Sequence, residues 1–369
     1  MDFSLFYFAD DSASHPDGGA GRYELLLEGA RFADQHGFRA VWTPERHFHA
    51  FGGLYPNPAV VGAALATTTE RIAIRAGSVV APLHHPLRIA EEWSVVDNLS
   101  GGRVGVSFAS GWHPVDFALS HSSYQDRKRV TLERVEQVRT LWRGGSHEVV
   151  DGTGNPAAVR IYPPPVQPEL PVWITSAGDA DTFRAAATSR AGILTHLLHQ
   201  DIGELAGKIA EYRRVHRDTH DGAEGHVVLM LHTLLGQDLA EVREAVRGPL
   251  HAYLKSSLNL VTGSLGNDRP GSHPDSGSDF ESDSDPGDDI DIDADALDEE
   301  DIEFLVARSF DTYVEERGLF GTVDEARRIV ERLRDVGVDE IACLIDFGVD
   351  TATVLKGLRQ LDELREAFA

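Results

Sequence analysis

Short apolar runs alternate along this chain with longer stretches in which apolar positions recur every three or four residues. The first kind predicts buried strands and the second predicts amphipathic helices. Strands are expected at 2–9 (DFSLFYFA), 40–43, 72–81, 104–109, 172–175, 193–196, 227–235 and 340–346. Helices are expected at 23–36, 58–69, 86–99, 127–143, 180–189, 202–217, 238–254, 302–317, 323–336 and 351–368. Local signals support several ends: Gly37 follows the first helix, and Pro58 and Pro86 stand where a missing N–H does no harm. Residues 145–168 carry glycines and the run Pro163-Pro164-Pro165, so they read as a loop or a small hairpin.

Each of the eight strands is followed by helix. Strict alternation implies an α/β protein with parallel strands and right-handed crossovers. Eight such units close a (β/α)8 TIM barrel. An open doubly wound sheet is the alternative, but no GxGxxG follows the first strand and no P-loop is present. In a barrel the chemistry sits where the strands end. Those ends fall near Asp10, 43–47, 80–82, 109–113, 176–178, His196, 235–236 and 347–348.

The charge pattern adds one segment to this picture. The chain of 369 residues carries a formal charge of −26, and about half of it lies between 267 and 301, where 15 Asp/Glu face a single Arg. The surrounding stretch, 264–301, is rich in Asp, Ser, Gly and Pro. It cannot bury enough apolar surface to offset its ordering entropy. It is expected to be a disordered insertion in an otherwise single barrel domain, 1–369. Asp289, Asp291, Asp293, Asp295 and Glu300 have the spacing of a calcium loop, but Ala294 stands where that loop turns on glycine. A solvated acidic run is the better reading, and no metal site is expected.

The acidic balance argues against nucleic acid and against an anionic membrane surface as partners. The lone Cys343 excludes an internal disulfide or a cysteine zinc site. The start MDFSLFYFAD lacks the basic region of a signal peptide, and no apolar run reaches membrane-spanning length. A cytoplasmic location is expected.

Four strand ends hold candidate chemistry. The second runs into Glu45-Arg46-His47, where His47 suits a general acid/base or a donor to a ligand edge and Glu45 could orient either neighbour. His49 lies close by, but no third ligand is tied to the two imidazoles. The third holds Gly77 and Ser78, small residues that let a flat ligand approach the backbone. The fourth holds Ser110, Gly111 and His113 beside an apolar wall, Trp112. Tyr124 and Arg127 follow, with Arg127 at a helix start suited to phosphate. The fifth ends in Ser176-Ala177-Gly178, a small-residue turn that can present backbone N–H groups to a phosphate. Each has a plainer reading as a salt bridge, a cap or small-residue packing.

Taken together, these segments resemble the bacterial luciferase-like flavin monooxygenase family. The resemblance rests on VWTPERHF (41–48), AGSVVAPLHHPLRIAEE (76–92), DNLSGGR (97–103), SGWHPxDF (110–117), YxxR (124–127) and GTVDEA…GVDEI (321–341). The wording of 174–183 and 343–349 is similar to the subgroup of natural-product biosynthetic clusters. The resemblance implies a TIM barrel with FMN at the strand C-terminal face and, at Gly77–Ser78, a non-proline cis peptide. It implies reduced FMN from a separate flavin reductase, O2 as co-substrate, and a homodimer. The implied reaction is hydroxylation of a small-molecule or carrier-protein-bound biosynthetic intermediate. By the same resemblance Glu45, Arg46 and His47 are the catalytic candidates. Gly77, Ser78, Ser110, Gly111, His113, Tyr124, Arg127, Ser176, Ala177 and Gly178 are the cofactor-binding candidates.

Two positions depart from the light-emitting members, which carry a catalytic His where Arg46 stands and a reactive Cys where Ala109 stands. Light emission is therefore not expected, and Arg46, being always protonated, is no base. The same fold also hosts F420-dependent oxidoreductases and flavin binders without turnover, and these are the alternatives. Shortening the acidic tract by Pro270–Asp295 is expected to leave soluble, folded protein by gel filtration and circular dichroism. Loss of folded protein would contradict the insertion reading.

Overall fold

The computed structural model describes residues 1–9, 21–198, 200–266 and 310–369. Eight parallel strands close into a barrel, as the alternation implies. They are β1 (Asp2–Tyr7), β2 (Ala40–Thr43), β3 (Ala73–Val80), β4 (Val104–Ala109), β7 (Val172–Thr175), β8 (Gly192–His196), β9 (Val227–Leu235) and β11 (Glu340–Asp346). They pair in that order, and β9 joins both β8 and β11, so no edge remains. A short β5–β6 hairpin (His147–Val150 and Pro156–Val159) occupies the stretch read as loop or hairpin.

One strand is additional. Leu319–Gly321 forms β10 and pairs with Thr233–Leu235 at the upper end of β9. Three residues are too few for any periodicity to announce.

The helices form the outer layer: α1 (Glu24–His36), α2 (Pro58–Thr68), α3 (Pro86–Ser100), α4 (Arg127–Trp142), α5 (Ala180–Thr188), α6 (Ile202–Thr219), α7 (Leu239–Gly266), α8 (Val323–Asp335) and α9 (Thr351–Glu366). Their starts follow local chemistry. Asn57 accepts from the N–H groups of Ala59 and Val60 ahead of Pro58, and Asp201 and Glu204 form a reciprocal capping box. α7 runs past the expected end at 254, so the first residues of the 264–301 tract are helical. The rest of that tract lies outside the described residues, as does Asp10. Among the described residues no helix is long and apolar enough to cross a membrane.

The barrel interior is plugged at the end opposite the candidate chemistry. The Glu340 carboxylate accepts from Ser4 Oγ at 2.5 Å, Trp42 Nε1 at 2.9 Å and Arg75 Nη1 at 2.8 Å. The Arg75 guanidinium lies beside the edge-to-face pair of Trp42 and Trp173, 5.0 and 4.5 Å from their centroids. Trp173 fits because Gly105 and Gly192 face it; a Cβ at either position would come within 2.8 and 2.2 Å of its ring. Burial alone would raise the Glu340 pKa. Arg75, His226 and the two neutral donors outweigh it and hold the carboxyl below its ordinary value.

Removing one partner of such a pair leaves a bare charge in the interior. Arg75→Met is expected to cost ~3–5 kcal/mol of folding stability, read from urea unfolding. A loss under about 1 kcal/mol, the range of exposed pairs, would show that the plug is not a structural hub.

Candidate active site

The β2–α2 loop turns two consecutive side chains to opposite fates. Glu45 is buried and saturated. Its Oε2 accepts from the backbone N–H of Val80 at 2.7 Å, and its Oε1 accepts from His47 Nε2 at 2.8 Å and His84 Nε2 at 2.5 Å. Burial pushes its pKa up, but the two imidazoles and the backbone donor prevail, and the carboxyl sits below its ordinary value. The same contact holds His84 above its ordinary value, against its own burial. Glu45 thereby ties the loop to the end of β3. The neighbour of His84, His85, instead caps α3, accepting from Leu87 N.

Arg46 is buried yet makes no hydrogen bond through Nε or Nη2. Its guanidinium lies 4.6 Å from the Trp112 ring and 5.6 and 5.8 Å from those of Phe8 and Phe51. Gly52, at φ +81°, closes the loop over its stem, where a Cβ would meet Arg46 Cγ at 2.6 Å. Burial lowers the guanidinium pKa, and nearby Asp116 opposes the shift.

A cavity of about 320 Å³ opens at the strand C-terminal ends, beside this loop. Arg46, Gly77, Ser78, Gly111, Trp112, Asp116 and Ala177 line it, with apolar walls from Phe6, Phe8, Val80 and Met230. The Gly77–Ser78 peptide is cis, as the resemblance implies. Gly77 has no room for a side chain, since a Cβ would meet Phe6 at 2.7 Å and Trp42 at 3.1 Å. The hydroxyls of Ser78 and Ser107 both share hydrogen bonds with Thr175 Oγ1. A larger depression of about 900 Å³ lies between α4 and α5, away from the strand ends, and its charged walls are already paired, as in Arg139–Glu136 and Arg143–Glu169.

The remaining expected residues fall around the cavity rather than on it. Ser110 is half-buried at the end of β4. Tyr124 donates to the carbonyl of Trp112 at 2.9 Å, and Arg127 stacks on Tyr124 at 3.9 Å and donates to its carbonyl. These two brace the Trp112 segment. Ser176 is buried, and its Oγ accepts from Gly178 N at 3.2 Å. Gly178 has φ +124°, and a Cβ there would lie 3.4 Å from Lys208 Nζ, whose own hydrogen bond goes to the neutral Gln200 Oε1 at 3.0 Å.

His47 and His49 do not converge on one ligand. His47 belongs to the Glu45 and His84 group, while His49 Nε2 lies 3.3 Å from His113 Nδ1, near Asp116. Asp116 was not foreseen. Its Oδ1 is buried without a partner, and burial pushes its pKa up. Only its place in SGWHPVDF, three residues after His113, could have pointed to it.

The profile of the luciferase-like monooxygenase family matches residues 1–340. This chain belongs to that family. The membership bears out the expected fold and the expected enzyme class, a flavin monooxygenase. It is 25% identical over 250 residues to the oxygenase component of the flavin-dependent trigonelline monooxygenase of Acinetobacter baylyi, covering 66% of this chain and 68% of that one. The monooxygenase RslO1 from Streptomyces bottropensis superposes with a TM-score of 0.75 at 23% identity over the whole of both chains. An F420-dependent secondary alcohol dehydrogenase superposes with a TM-score of 0.68 at 17% identity, again over both whole chains. At these identities the two solved structures speak for the fold.

Glu45→Gln is expected to bring the His84 pKa down, seen as a shifted imidazole titration by NMR. The sign follows from linkage. A histidine raised in the folded state contributes stability fully below its unfolded pKa of about 6.5 and loses it as pH rises through the folded value. The variant should therefore lose more stability at low than at high pH within that window. An unmoved His84 titration would show that the contact is not formed.

Proposed function

We propose that this chain is the oxygenase of a two-component system that takes reduced FMN from a separate reductase and uses O2 to hydroxylate a small metabolite. The observation that carries this reading is the cavity at the strand ends, apolar along its walls and bordered on the β7 side by a turn suited to an anion. An intermediate of secondary metabolism is the substrate the resemblance supports.

The residues fit FMN. Gly77, Ser78, Ala109 and Gly111 give the cavity a small-residue wall suited to a flat ring, with Ser110 and His113 just outside it. The Ser176-Ala177-Gly178 turn opens α5, and Lys208 stands beside Gly178 with only a neutral partner, an arrangement suited to a phosphate. Tyr124 and Arg127 hold the Trp112 segment in place. When bound, reduced flavin supplies the electrons that activate O2.

The chain supplies the surroundings. Phe6, Phe8, Val80 and Met230 exclude water from the reacting centre. Arg46 places a fixed positive charge in that dry space. His47 Nε2 faces Glu45 Oε1 at 2.8 Å, and His47 is the candidate that moves a proton. We assign the homodimer contact to the outer faces of the packed helices α2 and α3, where Val60 on one and Val95 and Leu99 on the other are exposed.

The F420-bearing neighbour supports a second reading, hydride transfer without O2. Titration of the purified protein with FMN and with F420, followed by O2 uptake on mixing with reduced FMN, separates the two. FMN binding with O2 uptake is expected; tight F420 binding without O2 uptake would transfer the protein to the second reading. His47→Ala is expected to divert O2 from product to hydrogen peroxide, with a loss in product rate on the order of 10²-fold or more. An unchanged ratio of product to peroxide would remove His47 from the mechanism.

A further inference from the structure

We infer that Arg46 is the anchor for a carboxylate on the substrate, so that the substrate is a free organic acid with an apolar body rather than a carrier-bound thioester. The inference rests on the reading of the strand-end cavity as the reaction chamber.

Three observations converge on it. The first is the identity of the idle donors. Nε and Nη2 are neighbours on one edge of the guanidinium, and both are buried without a partner. That edge carries two near-parallel N–H bonds at the spacing of two carboxylate oxygens, the geometry in which arginine binds an acid bidentately. A charged donor left unmade in the interior costs more than a neutral one. Among the described residues no side chain satisfies it. Asp116 makes no ion pair with Arg46; its Oδ1 lies 3.8 Å from His113 Nδ1 and makes no hydrogen bond among the described residues.

The second is confinement. Gly52 presses against the Arg46 stem, and its N–H donates to the carbonyl of Ala9, so the loop holds the guanidinium at the cavity. The rings of Phe8, Phe51 and Trp112 surround it. They favour a cation electrostatically but offer no acceptor oxygen, and they form a box suited to the apolar body of a ligand.

The third is the local field. His49 and His113 are both held below their ordinary pKa, first by burial and then by the positive charges beside them. Burial pushes the Asp116 pKa up, against the pull of Arg46. Among the described residues Arg46 is the one arginine or lysine on the cavity wall, which also carries Glu45 and Asp116. A thioester offers that edge no anion. A phosphate dianion would bring a second charge into an apolar box that cannot solvate it. The small-residue turn assigned to the flavin phosphate lies at the end of β7, whereas Arg46 follows β2, so the two anion sites are separate.

The test uses benzoate, benzamide and phenyl phosphate as probes, titrated calorimetrically into the full chain and into Arg46→Met and Arg46→Lys. FMN and F420 affinities are measured in parallel on each protein. Benzoate is expected to bind at least about tenfold tighter than benzamide or phenyl phosphate. Arg46→Met should erase that preference, while its FMN affinity stays within about twofold of the parent. Arg46→Lys should keep only part of the preference, as a point charge without the fork.

Equal binding of benzoate and benzamide to the parent protein would overturn the inference, whatever the variants do. So would a preference for phenyl phosphate, or a loss of FMN affinity in Arg46→Met matching the loss of benzoate. A protein that binds F420 instead of FMN yet keeps the Arg46-dependent benzoate preference would sink the FMN reading and leave the carboxylate anchor standing.

Discussion

The mouth of this barrel is organised by a carboxylate buried at its opposite end. Glu340, the first residue of β11, gathers donors from β1, β2 and β3, and through the cluster of Trp42, Arg75 and Trp173 it reaches β7. Trp173 in turn donates to His226, just ahead of β9. A charge with so little water survives only because nearly every lone pair is used and a guanidinium stands against it. The contact thereby fixes which strands face one another across the interior. Phe6 and Gly77, two residues beyond Ser4 and Arg75 on their strands, line the next layer up, where the cavity begins. The position of the site is thus inherited from the plug.

A second carboxylate repeats the principle at the mouth. Glu45 accepts from the end of β3 and from two histidines, and so converts a flexible strand exit into a fixed wall. Its neighbour Arg46 shows the reverse condition. It is as buried as Glu45 but lacks partners, and it is clamped by a glycine turn and aromatic rings. One residue of the pair builds the site and the other remains open to a ligand. In a packed interior, saturation marks structure and an unmet donor marks recognition.

Much of the fold was legible because it is written locally. A strand or helix period needs only its own residues, and eight repeats of the same unit leave one common closure. Strand β10 escaped because three residues hold no period. The β3 floor was legible as small residues, and the motif order around 41–48 and 110–127 pointed to strand ends that border the cavity. Tyr124 and Arg127 show the limit. Beyond the ligand contact expected of them, they brace the Trp112 segment through a hydroxyl and a ring stack that the sequence does not announce.

The sequence by itself determined the barrel and its family, because those properties follow from periodicity, glycine and proline placement and the order of short motifs. Only the tertiary structure decided which groups are paired and which are not. His47 and His49 stand two residues apart but join different clusters, and His84 leaves His85 to meet Glu45 across the loop. Asp116 and the idle edge of Arg46 became visible only once the strand ends were brought together. The physical reason is that a hydrogen bond depends on distance and orientation over a few ångströms, and the chain brings those atoms together from positions whose separation along the sequence carries no trace of the contact.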